Sequence, residues 1–217
     1  ANYYNLIYKL IEKYNLEIKT VENLDIELNN VSKCDYYRLI YLQKHGGLWT
    51  DLDIIYIKSI DELIDYENGK LNLIRYPYDD LAITTGLIYT QANNKHINNI
   101  LKLININNVS GYQYMGPDIF NNYYNNLKDK NDISFLNSYS IYPFEWYDIK
   151  ELYTDINLEM DFIGIHWYNG SIYTKKYLNN FQLDINGGLI NDKYIFINKV
   201  FKKFLFDDIN RFTNNYI

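Results

Sequence analysis

The sequence has little cysteine and little proline, with one cysteine (Cys34) and three prolines among 217 residues. A single cysteine excludes an internal disulfide and a zinc site built from several cysteines. No apolar run approaches the roughly 18 residues that a membrane-spanning helix needs. The first residues also lack the continuous apolar segment of a signal peptide. We therefore expect no membrane span within this chain, while an upstream leader or anchor that was removed stays an open alternative.

Positive charge is also scarce, because 21 Lys and Arg stand against 27 Asp and Glu, for a net charge of −6. Nonspecific nucleic-acid binding depends on clustered Lys and Arg, so the charge argues against a nucleic-acid partner. The hydrophobic content of 47% and charged content of 22% are ordinary for a globular protein. The length suits one domain with a substantial core, and we expect a single domain over residues 1–217.

Helical and strand patterns alternate along the chain. Spacing of apolar residues predicts helices at 3–14, 35–44, 94–104, 116–127 and 194–212. Alternating or continuous apolar runs predict strands at 16–21, 48–57, 71–76, 82–89 and 162–167. This alternation indicates an α/β fold with helices on both faces of a sheet, in which ligands bind at the carboxyl ends of the strands.

Most of the chemistry in the sequence lies between residues 32 and 53. Asp35 and Arg38 are three residues apart on a predicted helix, so their side chains share one face. Asp51 and Asp53 alternate on the predicted strand that follows, so both carboxylates are expected on one side. Such hard oxygen ligands suit Mg²⁺ or Mn²⁺ bridging to phosphate. A solvated strand end is the alternative for an isolated Asp-x-Asp.

The pattern Asp35-x-x-Arg38 followed by Gly46-Gly47-Leu48-Trp49-x-Asp51-x-Asp53 resembles the DXD region of glycosyltransferase family 32. That family includes mannosyl- and galactosyltransferases, and the glucosylating clostridial toxins share a similar core. The resemblance covers about residues 16–171 and leaves 172–217 as a C-terminal covering helix region. It implies a single-domain GT-A fold, a Rossmann-like mixed sheet with helices on both faces. Family members begin with an Ile-His-x-x-Trp-like strand; nothing before Tyr14 matches it, so that strand is absent, replaced or outside this chain.

Two later segments agree with the resemblance. The run from Tyr114 to Asp118, YMGPD, resembles the family's Thr-Gly-Pro segment, with a simple helix start as the alternative. The run from His166 to Ser171, HWYNGS, resembles a late histidine motif that normally ends Ser-Trp, but here Ile172 follows. A histidine at a strand end is commonly a packed residue, whereas beside an aspartate pair its imidazole suits Mn²⁺.

The resemblance implies a role for each matching residue. Asp53 and His166 ligate Mn²⁺ (or Mg²⁺), and Asp51 contacts the metal through water or binds ribose or sugar hydroxyls. Asp35 and Arg38 hold the donor sugar. These implied roles make Asp35, Arg38, Asp51 and Asp53 the candidate catalytic residues, and add Gly86, Asp118 and Ser171 as further substrate-binding candidates.

The implied activity is that of a metal-dependent glycosyltransferase using a nucleotide-diphosphate sugar, with UDP-sugars favoured over GDP-sugars and with retention at the anomeric carbon. The acceptor, whether glycan, protein or lipid, stays open. A non-catalytic sugar-nucleotide-binding module and a sugar-nucleotide hydrolase are the alternatives. A sequon at Asn169 inside the site favours a cytoplasmic setting over a Golgi-type lumen, with an unused sequon as the alternative. Trp146 and Trp167 suit stacking on a sugar or base, with burial as the commoner alternative.

Overall fold

The computed structural model describes residues 28–77, 79–109, 111–156, 161–180 and 196–200. The predicted helix at 3–14 and strand at 16–21 lie outside these residues, as does most of the predicted helix at 194–212, whose residues 196–200 are helical. The chain divides into two compact units. Described residues within 28–52 and 60–140 form the four-stranded unit, and those within 53–59 and 141–200 form the two-stranded unit.

The elements in the described residues include six strands and four helices, together with short 3-10 helices and a π-helical segment at Tyr114–Asp118. The strands are β1 (Gly47–Thr50), β2 (Ile54–Tyr56), β3 (Leu71–Tyr76), β4 (Asp79–Thr90), β5 (Ile133–Phe135) and β6 (Gly164–His166). The helices are α1 (Asn30–His45), α2 (Lys95–Leu103), α3 (Ile119–Asn126) and α4 (Ile172–Asn180). None of the helices in the described part of the chain has the length and apolar character that crossing a membrane requires.

The four-stranded unit is built on one mixed sheet with the strand order β1-β4-β3-β5. Strands β1 and β3 both run antiparallel to β4, and β5 runs parallel to β3. Its core joins apolar residues of these strands to those of α1, α2 and α3. The buried members are Leu39, Leu42, Leu71, Leu73, Ile83, Ile88, Ile97, Ile100, Ile119, Phe120 and Ile133.

Both ends of α1 have clear local causes. The Asn29 side chain accepts a hydrogen bond from the Ser32 N–H at 2.9 Å, which satisfies one of the donors left open at a helix start. Gly46 ends the helix with φ +66°, and its N–H donates to the Leu42 carbonyl at 2.9 Å. A Cβ at Gly46 would lie 2.4 Å from the Ala92 nitrogen, so close approach also requires glycine here. Together these ends fix the helix that carries Asp35 and Arg38.

The two-stranded unit pairs β2 with β6 in antiparallel register, so that Ile54 lies opposite His166. Its core is rich in aromatic residues: Trp167, Tyr177 and Phe196 are almost completely buried together. Buried hydroxyls are paired rather than left open, as where the Tyr153 hydroxyl lies 2.6 Å from Thr174 Oγ1. This core supports the strand end on which His166 sits.

The structure confirms the predicted mixed α/β class, and its mixed sheet is consistent with a GT-A-like fold. The helices predicted at 35–44, 94–104 and 116–127 and the strands at 71–76, 82–89 and 162–167 are present with shifted ends. The single strand predicted at 48–57 is wrong. It stops at Thr50, Leu52 and Asp53 form a turn, and β1 and β2 belong to different sheets. The two aspartates therefore sit beside and within a turn, not on one strand face.

Candidate active site

The first cluster of site residues lies in the four-stranded unit, around Arg38. Helix α1 places Asp35 and Arg38 one turn apart, as their spacing predicts, with side chains only 9% and 5% exposed. Arg38 Nη1 lies 3.2 Å from Asp35 Oδ1, and Nη2 lies 3.2 Å from Asp51 Oδ1. One planar guanidinium therefore bridges two carboxylates, which a lysine ammonium does not do with the same geometry.

Asp51 is held by more than its ion pair. The Trp49 Nε1–H donates to Asp51 Oδ1 at 3.1 Å, and the Arg38 guanidinium lies 4.9 Å from the centre of the Trp49 ring. The Asp51 backbone N–H donates to the Gly86 carbonyl at 2.8 Å. Sequence reasoning missed Trp49 as a site residue, although the two-residue period of a strand places positions 49 and 51 on the same side.

Arg38 also carries a hydrogen-bond donor that none of the described residues accepts. Its Nε is buried and makes no hydrogen bond to any residue in the described ranges. A buried donor without a partner is costly, and its usual explanation is a ligand or water that completes it. The guanidinium can thus bind an oxygen of a ligand while it keeps Asp35 and Asp51 in place.

On its other oxygen the Asp35 carboxylate lies close to Gly116. A Cβ added to Gly116 would come within 3.0 Å of Asp35 Oδ2 and 3.3 Å of Thr85 Oγ1. Burial raises the pKa of Asp35 from 3.8 to about 6, although the charge of Arg38 lowers it; Asp51 adds to the rise. Gly116 is therefore the residue that makes room for this carboxylate, and Thr85 is a neighbour that the sequence did not indicate.

The second cluster lies in the two-stranded unit, where Asp53 meets His166. Asp53 Oδ1 is 3.0 Å from His166 Nε2, and Asp53 Oδ2 accepts the Asn169 N–H at 3.0 Å. The Asp53 carbonyl also accepts the Trp167 N–H at 3.0 Å. Burial alone would raise the pKa of Asp53, but the hydrogen bond and charge of His166 and the Asn169 N–H outweigh it and lower the pKa. Asp53 is therefore held as a carboxylate.

Aromatic rings fix the orientation of the His166 imidazole. The Tyr168 ring lies edge-on at 4.1 Å between centroids, and the Tyr142 ring lies at 5.3 Å. Tyr168 has φ +49°, a left-handed backbone that a bulky residue rarely adopts. That backbone turns the chain so that the next N–H, of Asn169, reaches Asp53. Strain of this kind persists where the surrounding contacts hold it, and it is typical of functional sites.

These residues fit a divalent metal ion. Within the two-stranded unit the Asp53 carboxylate and the His166 imidazole lie side by side and could hold such an ion, and Asp51 precedes Asp53 by two positions in the sequence. Neighbouring ligands of an octahedral ion with bonds of about 2.1 Å lie about 3.0 Å apart, the distance between Asp53 Oδ1 and His166 Nε2. A carboxylate and an imidazole suit Mn²⁺ or Mg²⁺, with the imidazole favouring the former.

The three other predicted substrate-binding residues have different surroundings. Gly86 contributes the backbone carbonyl that holds Asp51. Ser171 caps α4, because its Oγ accepts the Thr174 N–H at 3.0 Å and donates to Thr174 Oγ1 at 2.9 Å. Asp118 is exposed and makes no side-chain cap at the start of α3. Their roles toward a substrate stay predictions.

Comparison with known proteins gives one family. Residues 5–70 match the model of the glycosyltransferase sugar-binding region containing DXD motif. The matched segment holds Asp35, Arg38, Asp51 and Asp53, and the resemblance beyond residue 70 stays a prediction. Neither the comparison with curated proteins nor that with solved structures gives a match. The matched region supports a DXD-containing, glycosyltransferase-like family for this chain.

Proposed function

We propose that this protein is a metal-dependent glycosyltransferase of the family 32 type that transfers a sugar from a nucleotide-diphosphate sugar, with retention. The observation that carries the proposal is the Asp53–His166 pair, 3.0 Å apart, on a chain whose DXD segment matches a glycosyltransferase model. UDP-sugars are the favoured donors over GDP-sugars.

Asp53 and His166 would hold Mn²⁺ or Mg²⁺, and Asp51 would join them directly or through a water molecule. A divalent ion held there would supply Lewis-acid chemistry, offsetting the charge of the diphosphate leaving group. The chain's own part is to keep Asp53 ionised, through the Asn169 N–H and His166, and to fix the imidazole between two tyrosine rings. Loss of contacts that orient a metal ligand commonly weakens metal affinity by roughly 10- to 100-fold.

Asp35 and Arg38 would hold the donor sugar. A carboxylate can accept two sugar hydroxyls, and the Arg38 guanidinium can bind a hydroxyl pair or a phosphate oxygen through its buried Nε. Arg38 cannot turn away easily, because Asp35, Asp51 and the Trp49 ring all contact it. Gly86, Asp118 and Ser171 are further donor-binding candidates within this proposal.

The direct test is donor hydrolysis measured over a panel of UDP- and GDP-sugars, with and without EDTA. We expect hydrolysis of at least one donor, loss of it with EDTA, and recovery with Mn²⁺. Asp53→Ala should abolish the activity, whereas Asp155→Ala, at an exposed residue of the same unit, should not. Full activity in EDTA, or in the Asp53→Ala protein, would contradict the mechanism.

One observation favours a second candidate, a non-catalytic module that binds a sugar nucleotide. Ile172, 75% exposed at the start of α4, stands where the family motif ends in tryptophan. Calorimetry that shows donor binding, without turnover on any acceptor, would select this alternative. A hydrolase would instead release sugar at a rate that no acceptor increases.

A further inference from the structure

An aromatic turn in the two-stranded unit has no part in the site described above. The Asp148 N–H donates to the Glu145 carbonyl at 3.0 Å, so Trp146 and Tyr147 are the two central residues of a tight turn. Their side chains are 66% and 54% exposed, and their rings meet edge-on with centroids 5.9 Å apart. We call residues 145–148 the aromatic turn.

This composition runs against ordinary turn chemistry. Central positions of tight turns favour Gly, Pro, Asn and Asp, which supply suitable backbone angles or local hydrogen bonds. The same unit does bury aromatic residues, since Trp167 is 1% exposed. Trp146 instead presents most of its surface to solvent. Its large apolar face is therefore available for contact and adds little to the core.

The aromatic turn is tied to the candidate metal ligands. The Tyr168 hydroxyl donates to the Phe144 carbonyl at 3.4 Å, two residues before Trp146. The Tyr168 ring in turn lies 4.1 Å from the His166 ring. Phe144 is itself buried and packs edge-on against Phe196 at 6.1 Å. Buried contacts thus anchor one end of the turn beside His166.

We propose that the aromatic turn binds a sugar ring of a neutral glycan, and that this glycan is the acceptor of the proposed glycosyltransferase, on which the inference rests. A pyranose ring presents C–H bonds on its faces, which suit the negatively polarised face of an indole or phenol ring. Its hydroxyls lie around the rim and need polar partners. The exposed Asp148 carboxylate, next to Tyr147, supplies such an acceptor.

Charge favours a neutral glycan over a membrane surface. Between residues 146 and 155 the chain carries three acids outside the core, Asp148, Glu151 and Asp155, against one base, Lys150. Aromatic residues that bind anionic lipid surfaces are normally accompanied by Lys and Arg, which gain free energy from the negative surface potential. Acids at these positions are repelled by that potential, whereas a neutral glycan imposes no such cost.

The test uses the full chain on an array of neutral oligosaccharides, without donor or metal, followed by calorimetry on the strongest binders. Trp146→Ala should weaken binding by roughly 10- to 30-fold, as for a central aromatic contact. Trp146→Phe, which keeps an aromatic face, should recover part of it. Tyr112→Ala, at a 72% exposed aromatic residue of the four-stranded unit, should leave glycan binding unchanged. Circular dichroism checks that each variant is folded.

Three results would overturn the inference: no oligosaccharide bound by the native chain, equal binding by Trp146→Ala, or Trp146-dependent sedimentation with phosphatidylcholine–phosphatidylserine vesicles in place of glycan binding. The array contains no donor, so it is independent of the hydrolysis experiment. Glycan binding through Trp146 without donor hydrolysis would remove the acceptor assignment along with the proposed reaction. Donor hydrolysis without glycan binding would contradict the glycan-binding role of the aromatic turn and leave the proposed reaction intact.

Discussion

Asp53 Oδ1 lies 3.0 Å from His166 Nε2, although 113 residues separate them in the chain. Local patterning cannot produce such a pairing, because it needs β2 and β6 to adopt the antiparallel register that sets Ile54 opposite His166. The Asn169 N–H then reaches the other oxygen of the same carboxylate. One aspartate is thus held from two directions by a single late segment of the sequence.

Removal of the imidazole should weaken metal binding. In His166→Ala we expect the dissociation constant for Mn²⁺ to rise by at least roughly tenfold, because one ligand and the main partner of Asp53 are both lost. Electron paramagnetic resonance of unbound Mn²⁺ measures this directly. His45→Ala is the matched control, at an exposed histidine at the end of α1. Equal Mn²⁺ affinity in His166→Ala and the native chain would contradict the ligand assignment.

Arg38→Lys should be costly even though it keeps the charge. A lysine cannot place two nitrogens 3.2 Å from both Asp35 and Asp51, so one buried carboxylate loses its partner. Breaking a buried ion pair costs on the order of 3 kcal/mol. Urea denaturation should show that loss, and donor binding should fall with it. Lys58→Arg, at a partly exposed ion pair with Asp161, should change stability little.

Gly116→Ala tests the space around the Asp35 carboxylate. The added methyl would lie 3.0 Å from Asp35 Oδ2, so the carboxylate must move by a few tenths of an ångström away from its position beside Arg38. We expect a loss of about 1–3 kcal/mol in unfolding free energy, as for overpacking, and a higher donor KM. Gly170→Ala, with no atom within 4 Å of the added carbon, is the stability control. Equal melting temperatures for both variants would contradict this close approach.

The pH dependence of stability should reveal Asp35. Its pKa is 3.8 unfolded and about 6 folded, so between these values the folded chain binds more protons. Its contribution to stability is therefore greatest below about pH 4 and falls as the pH rises to about 6, by at most about 3 kcal/mol. The unfolding free energy of the native chain minus that of Asp35→Asn should fall over that pH range and then level off.

Asp161→Asn provides a control of opposite sign. The hydrogen bond and charge of Lys58 lower the pKa of Asp161, so this carboxylate stabilises the folded chain at higher pH and loses its effect as the pH falls. The native-minus-variant difference should therefore rise with pH. Parallel curves for the two variants would contradict the burial-driven shift of Asp35.

Local patterns were sufficient for α1, α2, α3 and the Asp35–Arg38 pair, whereas α4 was not predicted. The spacing of Leu39 and Leu42 predicts α1, and the three-residue spacing of the acid and the arginine predicts their contact. The start of α1 at Asn30 was missed, although Asn29 is a favourable N-cap residue. These features depend on residues within one or two helical turns of each other, so the local sequence is sufficient to predict them.

The break at Asp51 could not be predicted in the same way. Residues 48–57 are mostly apolar and β-branched, without glycine or proline, so the turn preference of Asp51 and Asp53 is too weak a signal to end the strand after Thr50. Only the pairing of β1 with β4 and of β2 with β6 separates the two halves. The contact of Gly116 with Asp35 is likewise tertiary, and short strands such as β5 leave too weak a pattern to detect.

Tyr168 limits which sequences this site can accept. Its φ of +49° suits glycine, asparagine or aspartate, yet its place beside His166 at 4.1 Å needs a ring. No common residue meets both demands without cost, so a saturation library selected for Mn²⁺ binding should retain aromatic residues there. The same library selected only for thermal stability should enrich glycine and asparagine. Position 168 would thus separate selection for a working site from selection for a stable fold.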